Sequence, residues 1–257
     1  QSFITYSYVL ITTLYISHQG GTADQSSATA YNVAIGLAAM RYVKGGYQNV
    51  AIGNEALTNL SSGYQNVVLG SFAGQDMTTG FYNVLLGYNA GLNITTGDSN
   101  VAIGTNALYA SLLSTDTVAI GWDALYSQTV DGDSLNTAVG TKAGRSLTTG
   151  TENTLVGYRA GYAMAAGADS NTYVGTYAGY SMDGDDNVAI GLTAAQNAGD
   201  ANNCVFVGSK AGGVGVVAGD GNIAIGYLSG YSLTDGTTNI LVGLEAGYAI
   251  TTASENV

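Results

Sequence analysis

Catalysis by side chains needs converging titratable groups, and this chain offers few. It has one histidine, His18, and one cysteine, Cys204, and no recognised motif sets a second base or nucleophile beside either. The expectation is therefore a protein that is not an enzyme and uses no cofactor. A lone cysteine forms neither an intrachain disulfide nor a cysteine metal cluster. Two acidic clusters, Asp131-Gly132-Asp133 and Asp183-Gly184-Asp185-Asp186, place carboxylate oxygens close together. Asp183 and Asp185 are the calcium candidates, yet neither cluster carries the full loop pattern with its distal glutamate, and solvated turns are the competing reading.

Aromatic chemistry is better supplied. Six of the nineteen tyrosines, Tyr109, Tyr126, Tyr162, Tyr180, Tyr231 and Tyr248, stand five residues after a recurring glycine. Shared register predicts a stripe of rings along one edge. Such a stripe either seals turns and chain-chain seams or stacks against the sugar rings of a surface polysaccharide, with Trp122 as a further exposed aromatic.

The recurring glycine is Gly36, Gly53, Gly70, Gly87, Gly104, Gly121, Gly140, Gly157, Gly175, Gly191, Gly208, Gly226 and Gly243, with intervals of 17 residues in eight cases and 16 to 19 in the others. So short a period means one structural unit stacked many times. The predicted fold is all-β, a parallel β-solenoid of the β-roll or β-helix kind with about thirteen 17-residue coils. The longer intervals, around Asp131-Gly132-Asp133 and near Ala168, predict surface excursions of a turn.

Each unit has one grammar. The residue before the glycine is Ile, Val or Leu, and the residue two earlier is Val, Ile or Thr. Alternate strand residues share a face, so these form one apolar stripe. The residue between them points the other way and is apolar too, from Ala34 and Ala51 to Tyr173, Phe206 and Leu241. A coil this narrow hides only one strand face inside itself. The other is expected to meet another chain, most simply in a homotrimer around the long axis. The glycine itself fits a corner needing positive φ or close backbone approach, and the alanine three residues on fits a tight interior corner.

Asparagine stands four residues before the glycine in eleven copies: Asn32, Asn49, Asn66, Asn83, Asn100, Asn136, Asn153, Asn171, Asn187, Asn222 and Asn239. Stacked amides hydrogen-bond from coil to coil, which predicts a ladder satisfying the backbone corners, interrupted at Thr117 and Cys204.

The domain organisation follows: an N-terminal strand segment over 1–17, whose run Phe3 to Ile16 is β-branched and aromatic; a polar linker over 18–30; and the repeat domain over 31–257. The chain opens on Gln1 and ends at Asn256-Val257, the first residues of a fourteenth repeat, so a piece of a longer protein is expected. A formal net charge of -12, from 18 acids against 6 Lys and Arg, makes nucleic acid a poor partner, because counterion release needs clustered cations.

The unit Asn-Val-Ala-Ile-Gly-x-x-Ala, at Asn49 to Ala56, Asn100 to Ala107 and Asn187 to Ala194, resembles the head repeats of trimeric autotransporter adhesins, which form a left-handed parallel β-roll. With its Ser61-Ser62-Gly63 and Thr148-Thr149-Gly150 turns it is similar to the repeat tracts of bacteriophage tail fibres, over about 225 residues. The resemblance implies a trimeric fibre on a virion or an extracellular surface that contacts a host cell, with a cell-surface polysaccharide as partner. The alternative from another class is a self-assembling extracellular filament in which the N-terminal strand is donated to a neighbouring subunit.

Overall fold

The computed structural model describes residues 14–17, 31–164, 166–213, 217 and 219–257. Every regular element among them is a strand. Most of the predicted strand from Phe3, the linker and His18 lie outside the described residues.

One triplet per coil, the β-branched run before each fixed glycine, is extended. Thirteen such strands, from Asn32–Ile35 and Val50–Ile52 to Ile223–Ile225 and Ile240–Val242, pair in parallel, so twelve turns of chain separate them. Equivalent residues face each other throughout: Ala138 opposes Leu155, and Leu155 opposes Tyr173. The chain is a parallel β-solenoid. At the usual strand spacing its stack is about 60 Å long. Leu14–Ser17 joins the first edge antiparallel, with Leu14 opposite Ile35 and Ser17 opposite Asn32.

The longer intervals around Asp131 and near Ala168 leave the stack in different ways. Asp131–Asp133 forms a small parallel pair with Leu113–Thr115, and both aspartates are exposed. In the second, Ala166 and Gly167 are exposed while Ala168 is buried. Ala168 is thus not part of the excursion, because its carbonyl is held by an inward asparagine, as described below.

Bonding between coils continues beyond the strands. Around Gly140, its own N–H donates to Ile120 O and Lys142 N–H to Trp122 O, both at 2.7 Å, while Gly144 N–H donates onward to Ala160 O at 2.9 Å. Tight corners make this possible. In the coil beginning at Gly121, Asp123 and Leu125 have φ of 53° and 47°. A left-handed residue costs about 1–2 kcal/mol. Each is held by a 3.0 Å bond, Asp123 N–H to Thr105 O and Leu125 N–H to Ala143 O. The fixed glycines go further: Gly140 has φ of 142°, and a Cβ there would overlap the carbonyl of Gly157 in the next coil. Glycine is needed for backbone conformation and for coil spacing at once.

The middle strand residue points into the coil and is fully buried in nearly every copy, while its two neighbours point out and are half-buried or exposed. Two interior positions then share one volume. Where the middle residue is large (Val68, Leu85, Leu155, Tyr173, Phe206, Leu241), the residue four after the fixed glycine is Gly74, Gly91, Gly161, Gly179, Gly212 or Gly247. Where Ala51, Ala102 or Ala119 stands in the strand, that residue is Leu57, Leu108 or Leu125. A Cβ on Gly179 would fall on the Tyr173 ring, and one on Gly212 on the Phe206 ring. The coil admits one large side chain at this level, as close packing requires.

This volume exchange predicts a compensating pair. Gly179→Leu alone should lower stability by about 1–3 kcal/mol through overpacking. Adding Tyr173→Ala should restore most of it, since the result is the pairing already present at Ala102 and Leu108. Urea unfolding midpoints check this, and additive losses in the double variant would contradict it.

Candidate functional site

Side chains in equal register form columns, and three columns have chemistry. The first is internal. Asn49 donates its N–H (2.8 Å) and Nδ2 (3.1 Å) to Asn32 Oδ1, and its Nδ2 also reaches Gly63 O at 2.9 Å. Asn66, Asn83 and Asn100 repeat the pattern, as do Asn153 on Asn136 and Asn239 on Asn222. Asn153 Nδ2 holds Ala168 O at 2.8 Å. Asn171 and Asn187 join through backbone N–H donation at 3.0 Å, and Asn256 extends the column past Asn239. Each amide satisfies a corner that backbone pairing alone leaves open. In the 16-residue interval, Asn171 Nδ2 is buried without a hydrogen-bond partner.

The two breaks are bridged. Thr117 N–H donates to Asn100 Oδ1 (3.1 Å), and the Thr117 hydroxyl bonds that of Ser134. Gln128, fully buried, then donates to Thr117 Oγ1 and Ser114 Oγ and accepts from Asn136 Nδ2, each at 3.2 Å. A second amide thus enters the core from another position of the coil. Sequence reasoning missed Gln128; its signal was a lone amide at a position otherwise held by residues such as Leu60, Met77 and Leu147. At the other break Cys204 N–H donates to Asn187 Oδ1 (2.9 Å) and its Sγ accepts from Asn222 N–H (3.4 Å). Burial pushes the Cys204 thiol up, so it stays a neutral, weak partner.

The second column is acidic and lies on an edge of the coils. Asp185 Oδ1 accepts from Asp169 N–H, and Asn202 Oδ1 from Asp185 N–H, both at 2.8 Å. Asp220 Oδ1 accepts from Asn202 N–H at the same distance. These side chains act as backbone acceptors. Asp183 is half-buried, and among the described residues no group of three His, Cys, Asp or Glu is arranged to hold a metal ion. On the same edge burial raises the Asp98 carboxyl, against the opposing effect of the N–H of Phe81 donating to it at 2.8 Å.

The third column is aromatic. Tyr109 and Tyr126 stack at 4.9 Å between ring centroids, Tyr162 and Tyr180 at 5.1 Å, and Tyr231 and Tyr248 at 5.1 Å. The stripe is not rings alone. Arg145 occupies the same register between Tyr126 and Tyr162, with its guanidinium 5.0 and 6.0 Å from their centroids and an ion pair to Asp123 at 3.4 Å. Farther along, Gln196 and Gly213 stand in the register and separate the last tyrosine pair from the others. A second stack, Tyr47, Tyr64 and Phe81, lies elsewhere on the coil with centroids 5.0 and 4.8 Å apart.

Beside the column, Lys142 lies 4.4 Å over the ring of Trp122, which is 50% exposed. Arg159 is ringed by Tyr158, Tyr162 and Tyr177 at 5.2, 5.0 and 5.8 Å. Lys142, Arg145 and Arg159 were not singled out in the sequence, although three of the chain's six Lys and Arg fall within these 18 residues. The arrangement offers ring edges along the column and the exposed rings of Trp122 and Tyr158 beside it, with positive charge among them, which suits sugar and anion contact rather than bond-making.

Comparisons with protein-family models, curated proteins and solved structures find no match.

Two substitutions test the inner column in opposite directions. Asn153→Ala removes donors and an acceptor from buried backbone and should cost about 3 kcal/mol. Cys204→Asn should raise stability by about 1 kcal/mol by replacing a thiol with the amide used in neighbouring coils. Thermal and urea midpoints read both; a neutral Asn153→Ala would show that the amides are not needed.

Proposed function

We propose that this chain is a rod segment of a phage tail fibre or a similar surface appendage, assembled as a homotrimer, that attaches to a host cell through cell-surface glycan. Its place is then the virion or the extracellular surface. The observation that carries this reading is the outward strand face. Val67, Leu69, Ile190, Ile225, Ile240 and Val242 are all exposed, and they belong to two rows along the sheet, one of Ile, Val and Leu throughout and one of Val and Ile with threonine at Thr137, Thr154 and Thr172. A contiguous apolar strip of that length is costly in water and marks an interaction surface. Three straight rods sharing an axis would each cover one such strip. The repeat's resemblance to fibre and adhesin heads agrees, and the tyrosine column supplies stacking surface for sugars.

The filament alternative draws on the N-terminal strand. Leu14–Ser17 pairs with the first coil of its own chain, which satisfies the edge that a neighbour's strand would otherwise occupy. That favours the closed assembly.

Light scattering on the intact chain should give three times the 26.0 kDa chain mass. Val84→Asp with Val118→Asp, both on the outward face, should give single chains with unchanged circular dichroism. A wild-type mass of one chain would overturn the trimer, and indefinite polymers lost on removing residues 1–20 would establish the filament. Attachment is read separately: folded trimers carrying Tyr126→Ala and Tyr180→Ala should bind target cells more weakly.

A further inference from the structure

Cations are scarce on this molecule and unevenly used. Against 18 acids there are six Lys and Arg, and three of them, Lys142, Arg145 and Arg159, project from two successive coils. The one ion pair among the described residues joins Arg145 to Asp123. Among the described residues Lys142 and Arg159 make none. Both instead rest on aromatic faces, Lys142 on Trp122 and Arg159 among Tyr158, Tyr162 and Tyr177. The Nε of Arg159 is buried and has no hydrogen-bond partner.

We infer that this face, on the coils that begin at Gly121, Gly140 and Gly157, binds acidic polysaccharide, with carboxylate-bearing sugars as the ligand class. The inference rests on the attachment reading above and narrows it. The exposed rings of Trp122 and Tyr158, beside the column, supply apolar surface for the C–H faces of pyranose sugars. The cations are already positioned by those rings and partly stripped of water, so little ordering remains when an anion arrives. An unpaired, partly buried guanidinium presents a planar fork that matches a carboxylate. A neutral glycan would leave that fork unmatched. A linear polymer also engages all three rods of a trimer, so modest single-site affinity is multiplied.

Intact protein is titrated with polygalacturonate, alginate and polysialic acid, each against its methyl-esterified form. At least one acid form should bind about tenfold more tightly than its ester, with affinity falling as salt rises. Lys142→Gln and Arg159→Gln should each weaken that binding about tenfold and leave the thermal midpoint unchanged. Equal binding of acid and ester, or binding insensitive to both substitutions, overturns the acidic class; if such binding still depends on Tyr126 and Tyr180, the attachment reading survives it. Binding of none of the polymers also overturns the inference. Loss of the oligomer in Lys142→Gln or Arg159→Gln would overturn it in another way, by making this face a contact with the acidic edge of a second copy.

Discussion

Everything in this molecule depends on the coil-to-coil distance that backbone hydrogen bonding imposes. Successive coils sit one strand spacing apart, and each must present donors and acceptors above those of the last through corners as well as strands. Corners are where a stack of this kind is weakest. Here they are held from within by the amides of residues such as Asn49 and Asn153, and admitted by glycines such as Gly140, where a Cβ would occupy the next coil's carbonyl. The two columns answer one constraint from opposite sides: one supplies missing bonds and the other removes obstructing atoms.

Once the spacing is fixed, the surface inherits it. Any residue type repeated in register becomes a column about 5 Å apart, near the distance at which rings stack. Tyr109 on Tyr126 and Tyr162 on Tyr180 need no further device to meet. The same rule makes a column sensitive to one exception: Arg145 keeps the aromatic run continuous by lying between two rings, whereas Gly213 breaks it. Charge is organised the same way, with Asp169, Asp185 and Asp220 on one edge and the three clustered cations among rings on another part of the coil.

Period, strand position and the parallel stack were legible in the sequence because the glycine and asparagine that mark them have few substitutes. Which strand face turns inward was not. Ala138 and its neighbours Thr137 and Val139 are all compatible with burial, and only the space inside the coil decides between them. The left-handed corner at Leu125 was hidden too, since leucine is not a residue that announces positive φ. The exchange of bulk between Tyr173 and Gly179, or Ala102 and Leu108, was present as a pairing but has meaning only once both are known to share one interior level. Gln128 was invisible for the same reason: its partners Ser114, Thr117 and Asn136 are brought together by the stack. For the surface, the tyrosine register was readable, while the placement of Lys142 and Arg159 over rings depended on which side of the corner each residue occupies.

Side-chain amides satisfy the corners between coils from within. Hydrogen exchange at the backbone N–H groups of Asn66, Asn83 and Asn153 tests this most directly, because each donates to an asparagine side chain of the preceding coil. Exchange there should be as slow as at the adjacent strand residues Val67, Val84 and Thr154. Rapid exchange at the asparagines beside protected strands would contradict it.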